Sequence, residues 1–299
     1  MSNFIIIAIS ILSGVLLNRF KALPKDSYKI INLWIIYVAL PAIALRYIPK
    51  MKWDSDLLLP ILVPLVVFLA SFLFIEILGK FSPLNKETRG ALVLTVGFSN
   101  LSFLGFPLTE AYYGTKGLQL AILCDQVGFI TLSSLGLITA TYASTGNTAN
   151  FSFSLLIKKL LSFPPTLAFI AAFILPKFIN FNHIDVILEN LGATMVPMAL
   201  FSVGLQLQFK HWKADKFLLT SALCYKLLLA PLLVLIISWL FTIDKLVAQV
   251  SVLEAAMAPM VTGVIIATEF GLRPKLCNMI LSFGIPISFF TTYIWYYFL

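Results

Sequence analysis

Three ionisable side chains lie inside apolar stretches of this sequence. They are Asp125 in AILCDQVGF (121–129), Lys226 in CYKLLLAPLL (224–233) and Glu254 at the head of EAAMAPMVTGV (254–264). A charge in such a run is costly and usually functional. A carboxyl group held out of water can take up a proton, so Asp125, Glu254 and Lys226 are candidates for carrying a coupling ion or a proton. Each also has a structural reading, as one half of a buried pair or, for Lys226, as a stem reaching a helix end. A second set is polar without charge: Ser99, Asn100 and Ser102 in GFSNLSFLGFPL (97–108), spaced by Gly97, Gly105 and Pro107. The Asn100 amide can donate to a carboxylate and accept from a hydroxyl. Glu76 and Glu189 lie nearer the ends of apolar runs and read as interfacial.

Enzyme chemistry finds no comparable support. HExxH, P-loop and GxGxxG patterns are absent, as is GxSxG. Cys124, Cys224 and Cys277 lie in apolar stretches without CxxC spacing, and His183 and His211 fall in expected loops. Neither a disulfide framework nor a metal site is expected. No cofactor is implied beyond coupling to H+ or Na+.

The elements that position these residues follow from composition. Of 299 residues, 60% are hydrophobic and only 11% are charged, and the mean hydropathy is +0.97. A soluble domain carries about 25% charged residues, so the composition is that of an all-α polytopic membrane protein. Ten apolar runs stand out, at about 3–20, 30–48, 57–78, 90–110, 117–140, 154–175, 184–207, 216–240, 245–269 and 276–297. The first continues into Arg19 without a small-residue cleavage site and reads as a retained helix. The net charge of +8 is loop charge of the kind the positive-inside rule explains, and nucleic acid is not an expected partner. Loops after odd-numbered runs hold 14 Lys and Arg against 6 in the others. That places the odd-numbered loops in the cytoplasm and both termini outside. Trp53, Trp212 and Trp239 fall near run ends, as an aromatic belt requires.

The polar segment around 141–155 divides the chain into halves, 1–150 and 151–299, with five runs each. Pro41 in ALPAIAL and Pro197 in MVPMALFSVG are 156 residues apart; Gly114 and Gly271 are 157 apart. Nearly equal offsets suggest a duplication, and an odd number of runs per half makes the copies inverted in the membrane, an architecture of secondary transporters. Run four is interrupted by Gly105 and Pro107, and run nine by Pro259, Thr262 and Gly263. Proline removes a helical hydrogen bond, and lipid offers no replacement partner. Two such breaks, one per half, point to a binding site between them, where half-helix N-termini would face an anion.

With these motifs in order, the sequence resembles the auxin efflux carrier family, including its bacterial organic-anion members of malonate and malate type. The resemblance covers essentially the whole chain. It rests on GVLLNRFKALP (14–24), YVALPAIAL (37–45), NLSFLGFPL (100–108), VPMALFSVGLQL (196–207), KLLLAPL (226–232) and AAMAPMVTGVIIATEFG (255–271). It implies two inverted five-helix repeats whose fourth and ninth helices cross at their breaks. It also implies scaffold and transport subdomains drawn from both halves, and an elevator-like movement. Asn100 would match the crossover Asn that contacts substrate carboxylate in plant members, and Pro107 and Pro259 the crossover prolines. The long central loop of the plant carriers is missing, and Asp125 matches no family residue.

The expectation is therefore a secondary carrier of a small mono- or dicarboxylate in the cytoplasmic membrane. Its substrate would be held by Ser99, Asn100, Gly105, Pro107, Pro259, Thr262 and Gly263, with Pro41 and Pro197 as scaffold helix prolines. The expected partners are an organic anion and the lipid bilayer, with a homodimer allowed. The alternatives are a sodium-coupled carrier of bile-acid-symporter type, with Ser99, Asn100, Glu254 and Thr262 as ligand candidates, and a membrane receptor that binds without transport.

Overall fold

A computed structural model describes residues 2–24, 26–145, 161–178, 184–207 and 215–299. The division expected at 150/151, Trp212, both histidines and the loop cations Lys25, Lys158, Lys159, Lys210 and Lys213 lie outside the described residues.

Every regular element among the described residues is helical. In chain order these are α1 (Ser2–Arg19), α2 (Ser27–Lys50), α3 (Ser55–Phe81), α4 (Lys86–Val96), α5 (Leu101–Ser144), α6 (Pro164–Lys177), α7 (Asp185–Gln206), α8 (Lys216–Leu240), α9 (Lys245–Ala255), α10 (Val261–Glu269) and α11 (Pro274–Phe298). Six of them, α2, α3, α5, α7, α8 and α11, are long and apolar enough to cross a membrane. With 44 residues, α5 takes in the second half of the run at 90–110 and the whole of the run at 117–140. It bends at Gly114, whose φ of 65° is open to glycine. Gly271 likewise has a positive φ, of 73°. Large apolar side chains such as Ile9, Leu73, Trp239 and Phe290 are exposed, as lipid-facing positions are.

The prolines shape these helices in one recurring way. Pro41, Pro107 and Pro231 each follow a five-residue π-turn, at Ile35–Ala39, Leu101–Gly105 and Tyr225–Leu229. The wider turn takes up the lost N–H and the ring's clash with the preceding turn without ending the helix.

The helices pack in two groups, each drawing on both halves of the chain. In the first, α1 lies along α7, while α6 and α7 pack on α2. Trp34 donates to Thr194 at 3.0 Å and Ser202 to Asn32 at 2.5 Å. The second group is α3, α4, α5, α8, α9, α10 and α11. The groups meet chiefly where residues 101–105 lie against α7.

The α1–α7 seam depends on glycine. A Cβ on Gly204 would lie 3.0 Å from Gly14 Cα and 3.1 Å from Val15 N. Between helices in lipid, close backbone approach replaces hydrophobic driving force. Gly204→Val is expected to cost about 1–3 kcal/mol through overpacking. A thermal melt of purified protein reads this, and an unchanged melting temperature would refute the tight seam.

Candidate functional site

Two helices are interrupted, and the interruptions touch. Residues 97–100 separate α4 from α5, and residues 256–260 separate α9 from α10. Backbone groups freed by each break are satisfied by the other. Asn100 N–H donates to Ala258 O at 2.9 Å, and Met260 N–H donates to Phe98 O at 3.1 Å, forming one antiparallel bridge between Ser99 and Pro259. Within the π-turn that follows, Gly105 N–H returns to Asn100 O at 3.0 Å. These pairings supply, inside the protein, partners that lipid would not offer.

Charged and polar side chains converge on this crossing. Lys226 from α8 is fully buried, and its Nζ donates to Ser99 Oγ at 2.5 Å and Ala255 O at 3.1 Å. Asp125, from the second arm of α5, accepts from Ser102 Oγ at 2.6 Å. Glu254, also fully buried, accepts at Oε1 from Thr109 Oγ at 2.6 Å, while its Oε2 has no partner. Gly105 faces that carboxylate, and a Cβ there would fall upon it. Asn100 is 2% exposed, and its Nδ2 donates to nothing. An unpartnered buried amide donor costs about 1–3 kcal/mol, so a ligand acceptor here would relieve a real deficit.

The helix ends give the crossing polarity. Helices α4 and α9 end at the breaks, and α5 and α10 begin there. The C-terminal ends carry partial negative charge and favour a cation, which is where Lys226 sits. The N-terminal ends carry partial positive charge and favour an anion, and Asn100 precedes one of them.

Of the residues singled out from sequence, Ser99, Asn100, Gly105, Asp125, Lys226, Glu254 and Pro259 meet at this junction. Gly263 is buried where α10 passes close to the Leu94 carbonyl of α4, a packing role. Thr262 is exposed and stands outside the buried cluster. Pro107 and Pro197 are apart from the breaks but line one cavity of about 310 Å³ between the two helix groups. Pro41 is not among its lining residues and lies within α2.

That cavity holds charged residues that the sequence did not mark as a site. Arg46 of α2, Glu110 of α5 and Glu189 of α7 line it. Arg46 pairs with Glu189 at 2.9 Å and Asp185 at 3.4 Å, and Lys50 reaches Asp185 at 2.5 Å. The signal was available in part: Asp185 and Glu189 are four residues apart and share a helix face. Thr109, the partner of Glu254, carried no sequence signal. Among the described residues no His, Cys, Asp and Glu cluster could hold a metal ion.

A multi-span helical protein whose broken helices close on each other around buried polar groups is built as a membrane transporter. A family model described as "Membrane transport protein" matches residues 1–296. The chain belongs to that family, the auxin efflux carrier family. It is similar to an uncharacterized transporter of Methanocaldococcus jannaschii, 29% identical over 286 residues, covering 92% of this chain and 91% of the relative. It is also similar to an uncharacterized transporter of Methanothermobacter thermautotrophicus, 26% identical over 295 residues with 97% and 95% covered. An uncharacterized transporter of Escherichia coli K12 is 26% identical over 307 residues with the same coverage.

Proposed function

We propose that the chain is a secondary carrier of a small organic anion, with the substrate carboxylate bound at the crossing by Asn100 and the half-helix N-termini. The observation that carries this is the buried, unpartnered Nδ2 of Asn100 at the start of α5. It is a buried donor at the N-terminal end of α5, where the helix dipole favours negative charge.

In this reading the chain makes ten spans as two inverted five-helix repeats. Each broken pair, α4 with 101–113 and α9 with α10, counts as one span. The second arm of α5 counts as another. Helices α1, α2, α6 and α7 form the scaffold, and the other group moves against it like an elevator. The pairing of both breaks and the matching positive φ of Gly114 and Gly271 support the repeat. The 310 Å³ cavity lies between the groups on the side of the α2 C-terminus. By the loop charges that is the outer face of the cytoplasmic membrane, which puts both termini outside. Asp125 or Glu254 would carry a coupled proton.

The test is thermal stability of the purified protein against a panel of mono- and dicarboxylates. A ligand that binds only the folded state raises the melting temperature by mass action. A saturable rise with one class of acid is expected, followed by uptake of that acid into proteoliposomes. Asn100→Ala is expected to fold and to lose the rise, with affinity reduced about tenfold or more for a lost hydrogen bond to a charged group. No rise with any acid in well-folded protein would refute the anion assignment, and saturable binding without flux would make the protein a receptor.

A further inference from the structure

We propose that Lys226 is a tethered cation that occupies the position a coupling cation would need at the crossing, so that this protein neither binds nor requires sodium there. The inference rests on reading the crossing as the ion and substrate site. It goes further by assigning the cation.

The acceptors carry the argument. The ammonium is fully buried, and its two partners are neutral oxygens, the Ser99 hydroxyl and the Ala255 carbonyl. Both are of the kind that coordinates sodium in broken-helix carriers: a side-chain hydroxyl and a carbonyl at the end of a half-helix. Ala255 is the last residue of α9, and Ser99 lies three residues beyond the end of α4. Through the Ala255 carbonyl the ammonium therefore sits against the negative end of the α9 dipole.

A plain structural salt bridge would look different. Lys226 belongs to none of the ion pairs formed within 4.0 Å among the described residues. The buried carboxyl groups at the crossing, Glu254 and Asp125, are instead engaged by Thr109 and Ser102. A packing role would be met at far lower cost by methionine, because an ammonium in an apolar span is expensive. What the lysine supplies is one tethered ammonium on the oxygens a free ion would use. A second cation beside it would meet like-charge repulsion in a low-dielectric interior. The geometry thus separates this chain from a sodium-coupled carrier built on the same crossing.

The test is a salt series run without any organic acid. Wild type, Lys226→Ala and Lys226→Met are melted in choline, potassium, sodium, lithium and methylammonium chlorides at equal ionic strength. The wild type is expected to melt at one temperature in all five. Lys226→Ala is expected to melt several degrees lower in choline. It should recover saturably with sodium, lithium or methylammonium, which supply the missing charge. Lys226→Met, whose chain refills the space, is expected to show no response. A wild type stabilised specifically and saturably by sodium overturns the inference. So does a folded, monodisperse Lys226→Ala that responds equally to every salt. Should Lys226→Ala not fold, binding of radioactive sodium to the wild type decides: background binding supports the inference and saturable binding overturns it. A protein that shifts with both a carboxylate and sodium would keep the carrier reading and lose this one. A protein that shifts with neither would lose only the anion assignment.

Discussion

Gly105→Ala is expected to unsettle the crossing by displacing the Glu254 carboxylate. A Cβ at this position would lie 3.0 Å from Oε1 and 3.1 Å from Cδ of Glu254, with Oε2 closer still. The carboxylate would have to swing away, and in doing so it loses the 2.6 Å hydrogen bond from Thr109. A buried hydrogen bond to a charged group is worth about 1.5–3 kcal/mol, and overpacking adds about 1–3 kcal/mol more. We expect a melting temperature lower by several degrees and uptake reduced about tenfold or more. The origin of the effect is checked by a double-mutant cycle with Glu254→Ala. With the carboxylate gone there is room for the methyl group, and the cost of Gly105→Ala should largely vanish. Additive costs in the double variant would show that the clash lies elsewhere.

Glu254→Gln and Asp125→Asn are expected to uncouple transport from the proton gradient. Each amide retains the oxygen that accepts from Thr109 or Ser102, so the local structure is preserved while the proton-binding group is removed. The sign follows from the direction of coupling. If inward movement of the anion requires a protonated carboxyl group, wild-type uptake rises as external pH falls. An amide is fixed in a neutral state, so the variant should lose that dependence. We expect accumulation driven by a proton gradient to fall about tenfold or more, while exchange of the anion down its own gradient persists. The measurement is uptake into proteoliposomes with and without an imposed pH gradient. If both variants accumulate the anion as the wild type does, with the pH profile intact, proton carriage by these residues is wrong.

The membrane class and the interrupted helices were legible in the residues themselves. Apolar run length marks a spanning helix, and α2, α3, α7, α8 and α11 fall close to the runs read from sequence. Pro259 lies in the second break, whereas run four breaks at 97–100 and not at Gly105 and Pro107, because a π-turn over Leu101–Gly105 absorbs the proline and the helix continues through both. The three intramembrane charges were equally visible, since any charge stands out against an apolar run. The partners of those charges were not. Lys226 meets Ser99 across 127 positions of chain, and Thr109 meets Glu254 across 145. Nothing in either segment names the other.

The same holds for direction. Thr262 and Gly263 are neighbours in the break motif, yet one faces outward and the other is pressed against α4. Arg46, one of the six Lys and Arg counted after the even-numbered runs, is held by Asp185 and Glu189 beside a cavity. In a water-soluble helix, the polar face tells which side is outside. A helix in lipid is apolar around much of its circumference, because lipid and protein interior are equally apolar. The sequence of this protein by itself determined that its helices span, that two of them break and which charges they carry. Which faces meet was decided by close packing, through glycines that let backbones touch and hydrogen bonds that close only when distant segments are brought together.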